Sequence, residues 1–190
     1  MSESSPFDAI AGNLALDFIN TIANRANPDK RRELLVSLGD LQCWFATVGL
    51  PAQGLREADV TKARAIRERL HGVFLLPTQR RAVDQAALEA FGRDLHAASR
   101  ERRLLAKHKH VVWGWAPDAS ALHKALFPVL ADAAALLVSE ELANVRECQG
   151  PGCGWLFVDR SRSRPRRWCS MSDCGNKAKA RRHQRRHAEG

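Results

Sequence analysis

The sequence predicts a mainly α fold: a helical body with one short β-hairpin, followed by a small module of a hairpin and a helix. Three observations carry this. Apolar residues recur at three- and four-residue spacing over most of the first 140 positions. One stretch, residues 102–116, departs from that spacing and carries β-forming residues. Four of the five cysteines, Cys148, Cys153, Cys169 and Cys174, cluster near the end, with Cys43 alone inside the body.

Leu14, Phe18 and Ile22 form the first helical stripe, with Ala15 and Ile19 beside them. Leu41, Trp44, Phe45 and Val48 form the second, and Ser37 with Asp40 three residues on reads as its start signal. Cys43 lies within that helix and reads as a packing residue. A third helix is expected from Glu57 to Leu76, burying Ala63, Ile66, Leu70, Val73 and Phe74, with Pro77 ending it. A fourth contains Val83, Leu88, Phe91 and Leu95. Leu104-Leu105 and Val111 to Trp115 then suit two strands joined by a basic turn around Lys107 to Lys109. A longer helix follows from about Ala119 to Leu142, with Leu122, Leu126, Leu130, Ala133 and Leu137 inward and Pro128 at an exposed side or a kink. The helical pattern stops near Ala143, so two units are expected, residues 1–142 and 143–190.

The cysteines of the second unit form two pairs of Cys-x4-Cys separated by fifteen residues. Such pairs close tight loops around a tetrahedral metal, and the chain returns between them. Gln149-Gly150-Pro151-Gly152 supplies the turn-prone residues of such a loop. Trp155 to Val158 reads as a strand, Arg166 to Trp168 as its return, and Lys177 to His187 as a helix. A rival set of Cys169, Cys174, His183 and His187 fails on distance, because His183 lies about 13 Å along a continuous helix at about 1.5 Å per residue. Four thiolates leave no open position, so the expected cofactor is one structural zinc ion. An odd cysteine count with no apolar signal segment near Met1 to Pro6 favours metal over disulfides and a cytoplasmic location. No run of about 18 apolar residues appears, so no membrane span is expected.

The formal charge of +9 is uneven. Residues 160–187 contain eleven Lys or Arg against one acid, Asp173, whereas residues 1–159 sum to zero. Arginine outnumbers lysine nine to two in that segment, which suits forked contacts to phosphate. The expected nucleic-acid-binding residues are Arg160, Arg162, Arg164, Arg166 and Arg167 in the loop, and Asn176, Lys177, Lys179, Arg181, Arg182, Arg185 and Arg186 on the helix. The helix suits a groove and the loop the flanking backbone, with DNA favoured over RNA.

The stretch Cys153-Gly-Trp-Leu-Phe-Val-Asp-Arg-Ser, with Arg166-Arg-Trp-Cys-Ser-Met and Cys174-Gly-Asn-Lys, resembles the CGNR-type zinc finger. The body resembles the ABATE domain that precedes such fingers, most clearly in Gly12-Asn-Leu-Ala-Leu-Asp-Phe-Ile-Asn-Thr. The resemblance spans nearly the whole chain. It implies a bacterial protein of a family assigned to stress-induced transcription regulation, with Cys148, Cys153, Cys169 and Cys174 as zinc ligands. One departure stands out: the family's arginine after Cys-Gly-Asn is Lys177, which keeps the charge and loses the bidentate fork.

In the body, Asn13, Asp17, Asn20, Thr21 and Asn24 lie along the first helix, and Arg25 can supply a charge to the same region. They fit either a hydrogen-bonding pocket for a small-molecule effector or internal caps and loop contacts. No nucleophile–base or phosphate-loop pattern stands out, so no enzyme is expected. The expected function is a DNA-binding transcriptional regulator whose body senses a ligand or forms a homodimer. The alternatives are an RNA- or ribosome-associated binder and a small-molecule enzyme in the body.

Overall fold

The computed structural model describes residues 6–79, 81–163 and 165–188, without the side chains of residues 182 and 185–188. The elements are α1 (Leu14–Ile19), β1 (Ile22–Ala23), β2 (Arg32–Glu33), α2 (Leu38–Thr47), α3 (Glu57–Thr78) and α4 (Gln85–Ser99). They continue with β3 (Arg102–Lys107), β4 (His110–Trp115), α5 (Ala121–Leu137), a 3-10 turn (Glu140–Asn144), β5 (Val145–Glu147) and β6 (Leu156–Val158). A π-helical turn (Met171–Gly175) leads directly into α6 (Asn176–Ala188). The mainly α class with short antiparallel hairpins and a terminal cysteine–helix module is what the sequence predicts.

The first helix is shorter than its stripe. Asn13 caps α1 by accepting from the Leu16 amide, and the helix ends at Ile19. Ile22 continues the apolar spacing but stands in a strand, where it pairs with Glu33 and is still buried. The burial is the same, so periodicity alone could not separate the two. Ser37 and Asp40 form a reciprocal capping box that starts α2. Pro77 does not end α3: it sits in the last turn, and the helix runs one residue further to Thr78. The fifth helix stops at Leu137 rather than near Leu142, and Leu136 instead of Leu137 takes the fully inward position. Pro128 is half-buried within it, and Cys43 is half-buried against the core.

Helices α1, α3 and α5 surround a core of Leu16, Phe18, Ile19, Leu70, Phe74, Leu126 and Val129. Phe18 stacks against Trp44 with ring centroids 4.8 Å apart, which brings α2 into the same core. Arg67 on α3 is also buried there, because every side it presents meets an acceptor. Its guanidinium makes two 2.6 Å bonds to the Glu33 carboxylate and reaches Glu68, Thr21 Oγ1 and the Thr21 carbonyl. That network ties β2, the turn after α1 and α3 together, and such a charge is tolerable in the interior only when paired in this way.

The hairpin β5–β6 corrects the expected strand pairing. Val145, Arg146 and Glu147 pair with Val158, Phe157 and Leu156, so the return strand precedes the first cysteine. Residues 166–168 form no strand. All three residues of β6 are buried, which a run of four consecutive apolar residues, Trp155 to Val158, signals for a strand covered on both faces.

Candidate metal centre and nucleic-acid interface

The metal centre is assembled on a platform the body provides. The Val158 amide donates to the Ala11 carbonyl at 2.8 Å, ahead of α1. Asn20, just past the end of α1, faces Leu156 and uses its side-chain amide as a strand would use its backbone. Its Nδ2 donates to the Leu156 carbonyl at 2.8 Å, and its Oδ1 accepts from the Leu156 amide at 2.9 Å. Trp155 Nε1 donates to the Ile22 carbonyl at 2.7 Å. On the knuckle side the Ala26 amide donates to the Gly152 carbonyl. Gly152 and Gly154 both take positive φ, and a Cβ at Gly154 would lie 2.9 Å from Ala26 backbone and side chain. Only glycine combines that conformation with that approach.

Cys148 leaves β5, Cys153 closes the first knuckle, Cys169 follows the arginine loop, and Cys174 lies in the π-helical turn. The four sulfurs are buried and lie within 4.8 Å of one another. The Cys153–Cys169 and Cys169–Cys174 sulfur separations are both 3.7 Å. A tetrahedron with metal–sulfur bonds of about 2.3 Å has edges of about 3.8 Å, so these residues fit one zinc ion. The Cys148 sulfur also accepts from the Gly150 and Cys169 amides at 3.3 and 3.2 Å; contact with the Cys153 and Cys169 thiols, and then these amides, lower its pKa. A Cβ on Gly150 would come within 2.7 Å of the Cys174 sulfur, so the first knuckle requires glycine there. Four thiols this close cannot all ionise without a cation: contact with Cys148 pushes the Cys169 thiol far up, and burial raises that of Cys174. When bound, zinc supplies the cross-link that joins β5, the loop and α6. Four cysteine ligands are the set of a structural zinc site, in which protein side chains fill all four tetrahedral positions.

Helix α6 starts at this centre. The Ser170 hydroxyl accepts from the Asp173 amide at the entry, and Asn176 Nδ2 donates to the Ser172 carbonyl. Lys177 forms a 2.6 Å ion pair with Asp173 one turn back, and both are largely exposed. Asn176, Lys179 and Arg181 are exposed as well. The side chains of Arg182, Arg185 and Arg186 lie outside the described residues, as does Arg164.

The loop arginines divide. Arg162 and Arg167 are exposed, and Arg167 donates to Gln149 Oε1 at 2.7 Å. Arg160 makes a bidentate pair with Glu141, at 2.7 and 2.9 Å, and donates to the Gly12 carbonyl at 2.7 Å. Arg166 lies 4.4 Å above the Phe157 ring and donates to the Trp168 and Cys169 carbonyls. These two, expected among the polyanion contacts, already have partners within the chain, Arg160 at the exposed surface and Arg166 half-buried. Their positive charge gave no hint of this: the acceptors of Arg160 come from distant segments, and those of Arg166 are carbonyls two and three residues on.

The polar residues expected to form an effector pocket do not converge on one cavity. Asn13 and Asp17 line a cavity of about 580 Å³ with Asp132, Glu141 and Arg160. Asn24 lines a different cavity beside the cysteines, and Asn20 and Arg25 line neither. Asn20 is the clamp on Leu156, and Arg25 makes a two-pronged pair with Glu68 and donates to the Ile19 carbonyl. Asp17 accepts from the Ala11 amide, and burial pushes its carboxyl up to about 6, with Asp132 adding to the rise.

A helical domain completed by a structural four-thiolate zinc module is the class this arrangement defines. The chain belongs to the ABATE family. The profile of that family, described as "Putative stress-induced transcription regulator", matches residues 12–140, and that of the CGNR zinc finger matches residues 144–187. No curated protein matches the sequence. No helix among the described residues is long and apolar enough to cross a membrane.

Proposed function

We propose that the protein is a DNA-binding transcriptional regulator in which α6 is the principal contact. The observation that supports this reading is the position of α6: it leaves a closed metal centre with Lys177, Lys179 and Arg181 exposed. Charge concentrated on one exposed helix, beside a body of zero net charge, is an electrostatic footprint for a polyanion. Arg162 and Arg167 flank it as backbone contacts, whereas Arg160 and Arg166 serve the fold. The two matched families are of regulator and zinc-finger types, which supports regulation over catalysis. A rigid helix on a zinc-linked base suits the major groove of a duplex better than splayed single strands.

The test is selection of the zinc-loaded protein on a random duplex pool at two salt concentrations, followed by competition with structured RNA. A recovered motif and preference for duplex DNA are expected. Replacing Lys179 and Arg181 by alanine should weaken binding across sequences and reduce the salt slope by about two. Unchanged affinity in that variant removes α6 from the interface, and tighter binding to structured RNA at matched salt replaces DNA with RNA as the target.

A further inference from the structure

We propose that the hairpin β3–β4 is the dimerisation surface of the protein, and that its occupant is the same hairpin of a second copy. Five of the large apolar side chains exposed among the described residues belong to this ribbon, including Leu104 at 64%, Val111 at 68% and Trp113 at 62% exposure. The register assigns them to faces. Leu104 stands opposite Trp113 and Ala106 opposite Val111 on one face. Arg103 opposite Gly114, Leu105 opposite Val112 and Lys107 opposite His110 fall on the other, where Leu105 and Val112 are the less exposed apolar pair, at 44% and 38%.

The base of the apolar face is fixed to the body. The Arg102 guanidinium lies 4.3 Å from the Trp113 ring and 4.5 Å from that of Phe127 on α5, and Trp115 meets Phe127 edge-on. The ribbon is therefore held in place while Leu104, Val111 and Trp113 stay open to solvent. Outside that stacked arginine the face carries no charge, because Lys107 and Lys109 sit at or beside the tip.

This charge pattern selects the occupant. A polyanion would be drawn to the tip and the cationic face, leaving Leu104 and Val111 wet. A second apolar face of the same shape covers them. Two copies packed antiparallel about a two-fold axis place their tips about 20 Å apart, from six residues at about 3.3 Å each. That exceeds the Debye length of about 8 Å at physiological salt, so like charges do not meet. The three side chains offer about 250 Å² of apolar surface per copy, against about 800 Å² per partner in a standard interface. The dimer is accordingly dissociable. Binding of both tails to one duplex would tighten it through effective concentration.

Sedimentation velocity of the full zinc-loaded chain, from about 1 to about 200 µM, tests the proposal. The mass should rise from one chain toward two, and hydrogen exchange at high concentration should slow at the β3–β4 amides. The Leu104→Lys, Val111→Lys double variant should keep the same melting temperature and remain monomeric throughout. A wild-type monomer at every concentration overturns the proposal, as does a dimer that survives the double substitution or protects another region. Duplex DNA or anionic lipid vesicles slowing exchange at the same amides in the monomer would give the surface to that partner instead.

Discussion

The two longer hairpins of the chain differ in almost every respect. β3–β4 has six-residue strands, a basic turn at His108 and Lys109, and apolar side chains in solvent. β5–β6 has strands of three residues and not one exposed apolar side chain. The shorter ribbon is the better anchored, because its partners lie outside itself: Asn20, Ala11 and Ile22 in the body, and the cysteine centre at its ends. The longer one depends on its own ladder and on the stack of Arg102 with Trp113 and Phe127. Ribbon length therefore says little about stability here, and the origin of the neighbouring groups says much.

Removing the metal should have the largest effect. Zinc binding in such modules is worth on the order of 10 kcal/mol. Chelation or Cys169→Ser should melt α6 and the knuckles, read as loss of C-terminal amide protection, while α3 and α5 keep theirs. Simultaneous loss of the whole molecule would show that the body cannot stand without the module. Asn20→Ala comes next. It leaves the buried amide and carbonyl of Leu156 without side-chain partners, at a cost of about 2–5 kcal/mol, measured by urea denaturation.

Asp17→Asn works in the other direction. In the folded chain the acid titrates near 6 instead of 3.8, so protonation favours the fold. That contribution is full below pH 3.8 and gone above about 6, and at pH 7 the buried charge costs on the order of 1–3 kcal/mol. The neutral amide, still able to accept from Ala11, should stabilise at pH 7 and make no difference below pH 4, as followed by melting temperature across pH. The smallest effect is expected for Leu104→Lys with Val111→Lys, within about 0.5 kcal/mol in the monomer, because these side chains are already solvated.

The sequence made the metal centre fully legible, because cysteine spacing and glycine-rich knuckles are local and chemically specific. The helices α2 to α5 were legible to within a few residues, and so was β3–β4. Three features were not. The strand at Ile22 shares its apolar spacing with a helix, and only the long-range partner at Glu33 decides between them. The pairing of β5 with β6 was hidden because Val145 to Glu147 is too short to carry a period. The pairing of Arg160 depends on acceptors at Glu141 and Gly12, which no local pattern brings together, and that of Arg166 on how the loop turns the Trp168 and Cys169 carbonyls toward it. The polar residues of the first helix stood out correctly as unusual, yet Asn20 and Arg25 serve as clamps, and only Asn13 and Asp17 share a cavity.

The bond between Asn20 and Leu156 also has a consequence for synthesis. Its two ends are 136 residues apart, which a ribosome moving at about 5–20 residues per second covers in about 7–27 s. For that interval the first helix is finished but its buried amide has no strand to hold. The clamp at the end of α1 is therefore among the last parts of the body to form, since its strand is made 136 residues later.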